Sequence, residues 1–100
     1  MIKHIVLWKV KELADGLDRP QIAAKMKHDL EALRPVIPAI RHLEVGVNCI
    51  PSDAAFDVAL YSEFDSRTDL EAYMTHPAHQ AVVGFVRSVV TARHVVDYEA

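Results

Sequence analysis

Only one of the hundred residues is cysteine, Cys49, and only three are glycine. A lone thiol has no intrachain disulfide partner, which fits a reducing compartment and makes the cytoplasm the expected location. With so little glycine, the chain holds no Gly-rich phosphate loop, no dinucleotide fingerprint and no nucleophile elbow. Long apolar runs are also missing. The opening stretch from Met1 to Trp8 is too short an apolar run for a signal peptide or a membrane helix, so no membrane association is expected. Lys and Arg total 11 against 14 Asp and Glu, a formal charge of −3, and the cations are scattered rather than clustered. Neutralising a phosphate backbone needs the opposite arrangement, which argues against a nucleic-acid partner. Repeats, linkers and low-complexity stretches are absent, so residues 1–100 are expected to form one domain.

What the chain does have is apolar surface to hide. Hydrophobic residues make up 51%, slightly more than the roughly 45–50% of ordinary soluble chains. A chain of this length buries only about two-thirds of its unfolded surface. A partner subunit is the obvious place for the surplus.

The pattern along the chain is of alternating strands and helices. From Ile2 to Val10 one parity carries Ile2, His4, Val6, Trp8 and Val10, and the other carries Lys3, Ile5, Leu7 and Lys9. Both are apolar in the middle, which reads as a strand covered on two sides. Ala14-Asp15-Gly16 is a turn, and Asp18 with Gln21 reads as a capping box. Ile22, Met26, Leu30, Leu33 and Ile37 then recur at helical spacing until Pro35 and Pro38 end the helix. A second strand spans about Ile40 to Cys49 and is more one-sided, as at a sheet edge. A third runs from Phe56 to Phe64. Ser66 and Asp69 repeat the capping signature ahead of Leu70, Tyr73 and Met74, and Pro77 interrupts this second helix, which resumes through Val82, Phe85, Val86 and Val89. Ala92 to Tyr98 is the last strand.

The order β-α-β-β-α-β predicts an α+β fold of ferredoxin-like type, with both helices on one face of a four-stranded antiparallel sheet. The opposite face is left bare, and the first strand makes it apolar. Soluble monomers rarely expose such a patch, so a second copy facing it about a two-fold axis is expected, giving a homodimeric α+β barrel.

The opening Ile2-Lys3-His4-Ile5-Val6-Leu7-Trp8-Lys9-Val10, the strand Phe56 to Phe64, the segment Tyr73-Met74-Thr75-His76-Pro77-Ala78-His79 and the ending Val96-Asp97-Tyr98 together resemble the stress-responsive dimeric α/β-barrel (Dabb) family. The resemblance spans nearly the whole chain and implies a homodimeric barrel. Most members of the family have no assigned activity. One plant member is a polyketide cyclase that closes a ring by intramolecular aldol condensation without a cofactor. By that resemblance His79 matches its general base, Tyr73 the assisting tyrosine and His4 a further pocket histidine. The plant enzyme also has a third-strand histidine where this chain carries Val58, so the substrate does not carry over.

On chemical grounds a histidine takes and returns protons near neutral pH, and a tyrosine hydroxyl donates to a developing enolate oxygen. Six residues apart in one continuous helix, Tyr73 and His79 would sit roughly 240° apart. Only the break at Pro77 lets both face one cavity. A purely structural reading makes Tyr73 a core aromatic and His79 a cap or hydrogen-bonding residue. His4, in the apolar parity of the first strand, needs a hydroxyl, a carboxylate or a substrate for its ring nitrogens. Asp57, opposite in parity to Val58 and Leu60, is expected to face water or a dimer partner. His76 and His79 have the spacing of a metal pair, but Pro77 holds His76 out of the helix and no third ligand is near in sequence, so neither a metal nor a cofactor is expected. Trp8 and Phe85 read as core residues. These observations lead to a cofactor-free acid/base enzyme, cyclase or isomerase in type, acting on a small, partly apolar carbonyl compound through His79, Tyr73 and His4. A non-catalytic stress or assembly protein is the alternative, and a cofactor-free monooxygenase a third reading.

Overall fold

Residues Ile2–Val10 form β1, an inner strand paired antiparallel with β5 (Val58–Phe64) on one side and β6 (Val90–Glu99) on the other. β4 (His42–Val47) pairs with the far side of β5, so the sheet order is β4-β5-β1-β6. Two short strands, β2 (Leu13–Ala14) and β3 (Leu17–Asp18), make a separate hairpin. The helices are α1 (Arg19–Glu31), α2 (Arg67–Thr75) and α3 (Pro77–Val89). These elements come from a computed structural model that describes all of residues 1–100. The fold is the ferredoxin-like α+β arrangement, and the one-sided second strand lies at the sheet edge as its pattern predicts.

Parity sorts the sheet. Ile2, His4, Val6, Trp8 and Val10 are all buried beneath the helices, beside Val58, Leu60, Ser62 and Phe64 of β5 and Leu43 and Val45 of β4. The other parity, with Ile5, Leu7, Ala59 and Tyr61, is only partly covered, and Leu7 is 38% exposed. The core thus lies in one layer between sheet and helices.

Local chemistry fixes the helix ends. Asp18 accepts from the Gln21 N–H at 2.9 Å while the Gln21 side chain accepts from the Asp18 N–H at 3.0 Å, the reciprocal capping box. Ser66 accepts from Asp69 N–H at 3.1 Å and starts α2. Helix α1 stops at Glu31, short of the apolar period that runs to Ile37. Pro35 is the cause: it has no N–H to offer the Glu31 carbonyl four residues back, and its ring would strike that carbonyl. Leu33 and Ile37 still reach the core, from hydrogen-bonded turns. The turn at Asp15-Gly16 has φ of 52° and 70°, the left-handed pair that an Asp-Gly hairpin needs, so it carries the short β2–β3 ladder where the sequence suggests only a turn.

Candidate active site

Pro77 decides how the second helical segment presents its side chains. His76 is forced to extended geometry (φ −63°, ψ 135°), ending α2 and capping α3 in one residue. Its Nδ1 accepts the Ala78 N–H at 3.0 Å. That bond commits the Nδ1 of His76 to helix capping. The change of direction also brings His79 back over Tyr73, and the ring centroids lie 4.4 Å apart at 47°.

His79 Nδ1 lies 3.0 Å from the Met74 carbonyl oxygen. A carbonyl can only accept, so Nδ1 carries the proton, and Nε2 is left with its lone pair. The Gln80 side-chain amide donates to the same carbonyl at 2.7 Å and helps fix it. Burial lowers the pKa of His79 below its ordinary value, the Met74 hydrogen bond opposes this, and the nearby charges of His4, Arg93 and His76 add to the lowering. The neutral, base-ready ring is favoured.

Tyr73 is 1% exposed. Burial pushes its phenol up to about 12, with Arg93 opposing, so the hydroxyl keeps its proton through the physiological range. No protein group hydrogen-bonds that hydroxyl. Beyond it stands His4, with ring centroids 6.2 Å apart and near edge-to-face. His4 is buried, and its Nδ1 is hydrogen-bonded to the Asp97 carboxylate. An ionised carboxylate can only accept, so Nδ1 donates, and Nε2 is the ring nitrogen left for other partners.

His4, Tyr73 and His79 line one cavity of about 310 Å³ between the sheet and α2/α3, together with Trp8, Arg87 and Arg93. The rest of its wall is mainly valine and leucine. This volume is at the small end of ligand sites, and an apolar lining with a few converging polar groups is their usual make-up. All three residues singled out in the sequence are therefore brought together. Trp8 belongs to the core and is also part of the wall, while Phe85 is partly buried beside the core, with the Lys25 ammonium 4.5 Å from its ring.

Asp57, which is partly exposed, also has a structural task within the chain. Its carboxylate accepts the Val10 N–H at 2.8 Å, where the β1–β6 register shifts, and its backbone bonds Trp8 and Asn48. Three residues at the site were not singled out from sequence, Asp97, Arg93 and Arg87. The register places Asp97 beside His4 and Arg93 beside Trp8 across β1 and β6. Their shared parity on the last strand was the only available signal.

A β-α-β-β-α-β sheet with a small, half-apolar cavity under its helices defines a ferredoxin-like α+β protein with room for a ligand. The chain matches the family model of the stress responsive A/B barrel domain, Dabb, over residues 2–100, and it belongs to that family. An uncharacterized protein of Streptomyces coelicolor is 35% identical over 99 residues, 99% of either chain. The crystal structure of a dimeric protein of unknown function and ferredoxin-like fold from Bacteroides fragilis is 37% identical, with a TM-score of 0.86 over 99% of this chain and 95% of that one. Two neighbours share the fold alone. They are the hydroxynitrile lyase of Passiflora edulis, 20% identical with TM-score 0.80 over 97% and 90% of the chains, and an antibiotic biosynthesis monooxygenase, 16% identical with TM-score 0.73 over 100% and 98%.

Proposed function

We propose that this chain is a cofactor-free acid/base enzyme for a small, partly apolar carbonyl compound, with His79 as base, Tyr73 as hydrogen-bond donor and His4 as a supporting polar group. The observation that carries this reading is the pairing of a histidine whose Nδ1 is tied to Met74, leaving Nε2 free, with a buried phenol that no protein group engages. Nε2 takes a proton from the carbon beside the carbonyl. The C–H electron pair becomes a carbon–carbon double bond and the carbonyl π pair moves to oxygen, where the Tyr73 hydroxyl stabilises the enolate. The proton returns to another carbon in an isomerisation, or to the alkoxide formed when the enolate carbon adds to a second carbonyl in a ring closure. Either outcome balances without a redox partner. That the Passiflora edulis hydroxynitrile lyase shares this fold agrees with, but does not carry, the proposal.

The test is α-proton exchange of small 1,3-dicarbonyl compounds in D2O, followed by proton NMR. Wild-type protein should accelerate exchange, and His79→Gln should lose about 10²–10⁴-fold of that acceleration while remaining folded. A purely packing role predicts the reverse, a lower melting temperature for His79→Gln and no exchange above the solvent rate with either protein.

We infer further that the working unit is a homodimer. The uncovered sheet face carries Leu7, Val96 and Tyr98 at 38%, 53% and 44% exposure, and the similar Bacteroides fragilis protein is described as dimeric. Two such faces stacked about a two-fold axis would cover one another. Sedimentation velocity at micromolar concentration should give a dimer, and Leu7→Glu, which leaves the helix-covered core untouched, should give a folded monomer. A wild-type monomer under the same conditions would end this inference.

A further inference from the structure

The cavity has an electrostatic character that the acid/base reading does not need. No Asp or Glu lines it, while Arg87 and Arg93 both do. Of the six arginines in the chain, Arg19, Arg41 and Arg67 are ion-paired with Glu12, Asp65 and Glu99. Two of the three that have no carboxylate partner, Arg87 and Arg93, stand at this one cavity. The exception is Arg34. The arrangement runs against the whole molecule, whose formal charge is −3. Nearby Asp97 is engaged by His4 and is not in the wall.

Arg87 and Arg93 are both exposed residues, so they stand on the open side of the cavity, and the wall beyond them is mainly apolar. Arg93 is close enough to act on Tyr73 and His79, the two groups proposed to do the chemistry. Trp8 adds a buried indole N–H with no acceptor in the protein, in the same wall. The site's unsatisfied groups, apart from Nε2 of His79 and Nε2 of His4, are therefore mainly donors. A planar guanidinium fork matches a carboxylate with two parallel hydrogen bonds.

We infer that the substrate is a small apolar oxo acid, whose carboxylate is held by Arg93 and Arg87 at the cavity mouth while its carbonyl end lies against Tyr73 and His79. This rests on the proposed acid/base function and adds the substrate class to it. The carboxylate fixes which carbon meets Nε2, and neutral ketones of the same size bind without that orientation. Arg87 and Arg93 are binding residues here, and proton transfer stays with His79.

The experiment uses hexanoate and hexanamide, equal in size and different in charge, titrated against the fluorescence of Trp8, the single tryptophan. Hexanoate should bind roughly ten- to hundredfold more tightly than hexanamide, the range of a charge-assisted hydrogen bond, and added salt should narrow the gap. The double variant Arg87→Gln, Arg93→Gln should lose the preference and keep the affinity for hexanamide. Since neither side chain has a partner in the protein, circular dichroism of the double variant should match wild type. Equal binding of the two probes, no binding of either, or a preference that survives in the double variant would each overturn the inference. His79→Gln separates the two proposals. A carboxylate preference that persists without any His79-dependent exchange supports the binding site while removing the chemistry. Exchange that persists with no carboxylate preference does the opposite.

Discussion

The two halves of the helix-covered sheet face are built from the same kinds of residue and end in different states. Under α1 the layer is dry: Ile22, Met26 and Ile37 are each at most 1% exposed. Helix α1 is also tied to the edge strand, since Lys27 donates to the Val45 carbonyl at 2.6 Å and Glu31 accepts from the Val45 N–H at 3.1 Å. The Lys27 ammonium holds the Glu31 carboxyl below its usual range, which keeps that acceptor ionised. Under α2 and α3 the layer holds a cavity edged by His4, Tyr73 and His79. The helical segment there is broken at Pro77, and its two pieces leave the helix-side residues of β6 open, with Val95 at 47% exposure. One uninterrupted helix seals its half of the sheet, whereas a broken one leaves room for a ligand. Stability and chemistry should therefore separate along this line.

The strongest break of that comparison is Met26→Ala. Met26 is fully buried in the dry half, and truncation of such a side chain costs about 2–5 kcal/mol through lost transfer energy and the cavity left behind. Urea unfolding should register that loss, while α-proton exchange per folded molecule stays at the wild-type level. If exchange collapsed in a protein that remained folded, the two halves would not be independent.

Tyr73→Phe sharpens the comparison from the other side. The hydroxyl has no protein partner, so its removal should change stability at neutral pH by less than about 0.5 kcal/mol, yet slow exchange by roughly ten- to hundredfold through loss of the enolate's donor. Its alkaline signature follows from the raised phenol. In the unfolded chain tyrosine ionises near 10, and in the folded protein at about 12. The unfolded state thus gives up its proton first, and wild-type stability falls as pH rises from 10 through 12, by up to about 3 kcal/mol. The Phe variant lacks that component. Its stability relative to wild type should rise over the same interval, and two parallel alkaline unfolding curves would contradict the burial of the phenol.

Much of the scaffold was legible because it is set by neighbours in sequence. Asp18 with Gln21 and Ser66 with Asp69 mark helix starts through bonds three residues long, and the alternation of Ile2, His4, Val6, Trp8 and Val10 marks a buried face. Pro77 predicts the helix break and permits the meeting of Tyr73 with His79, because it acts on the backbone of the residue beside it. The apolar period overstates the length of α1, since Leu33 and Ile37 keep it after Pro35 has removed the helix. What the sequence conceals is long-range register. Asp97 lies 93 residues from His4 and meets it only because β6 returns antiparallel beside β1 with one particular pairing. Arg93 reaches the cavity by the same register, and Asp57 reaches Val10 from the end of β5 on the other side of β1.

The smallest expected effect concerns the proton on His79. Burial, which leads the causes, places its folded pKa below the ordinary 6.5. As pH falls through 6.5 the unfolded chain takes up a proton that the folded chain still refuses, so the native state loses stability between 6.5 and the lowered value and loses no more below it. Above 6.5 this contribution is fully present. In wild type minus His79→Gln, the difference in unfolding free energy should be flat on the alkaline side of 6.5 and decline on the acid side. The exchange rate follows the same ionisation, because only the unprotonated Nε2 accepts a proton. Its pH profile should therefore have its acid midpoint below 6.5. The Arg93 charge is one of the causes of the lowering, so Arg93→Gln should move that midpoint upward, toward 6.5, even with a neutral ketone as substrate. A midpoint that moved downward, or that stood above 6.5 in wild type, would mean that the titrating group lies outside the cavity where Tyr73 and His79 meet.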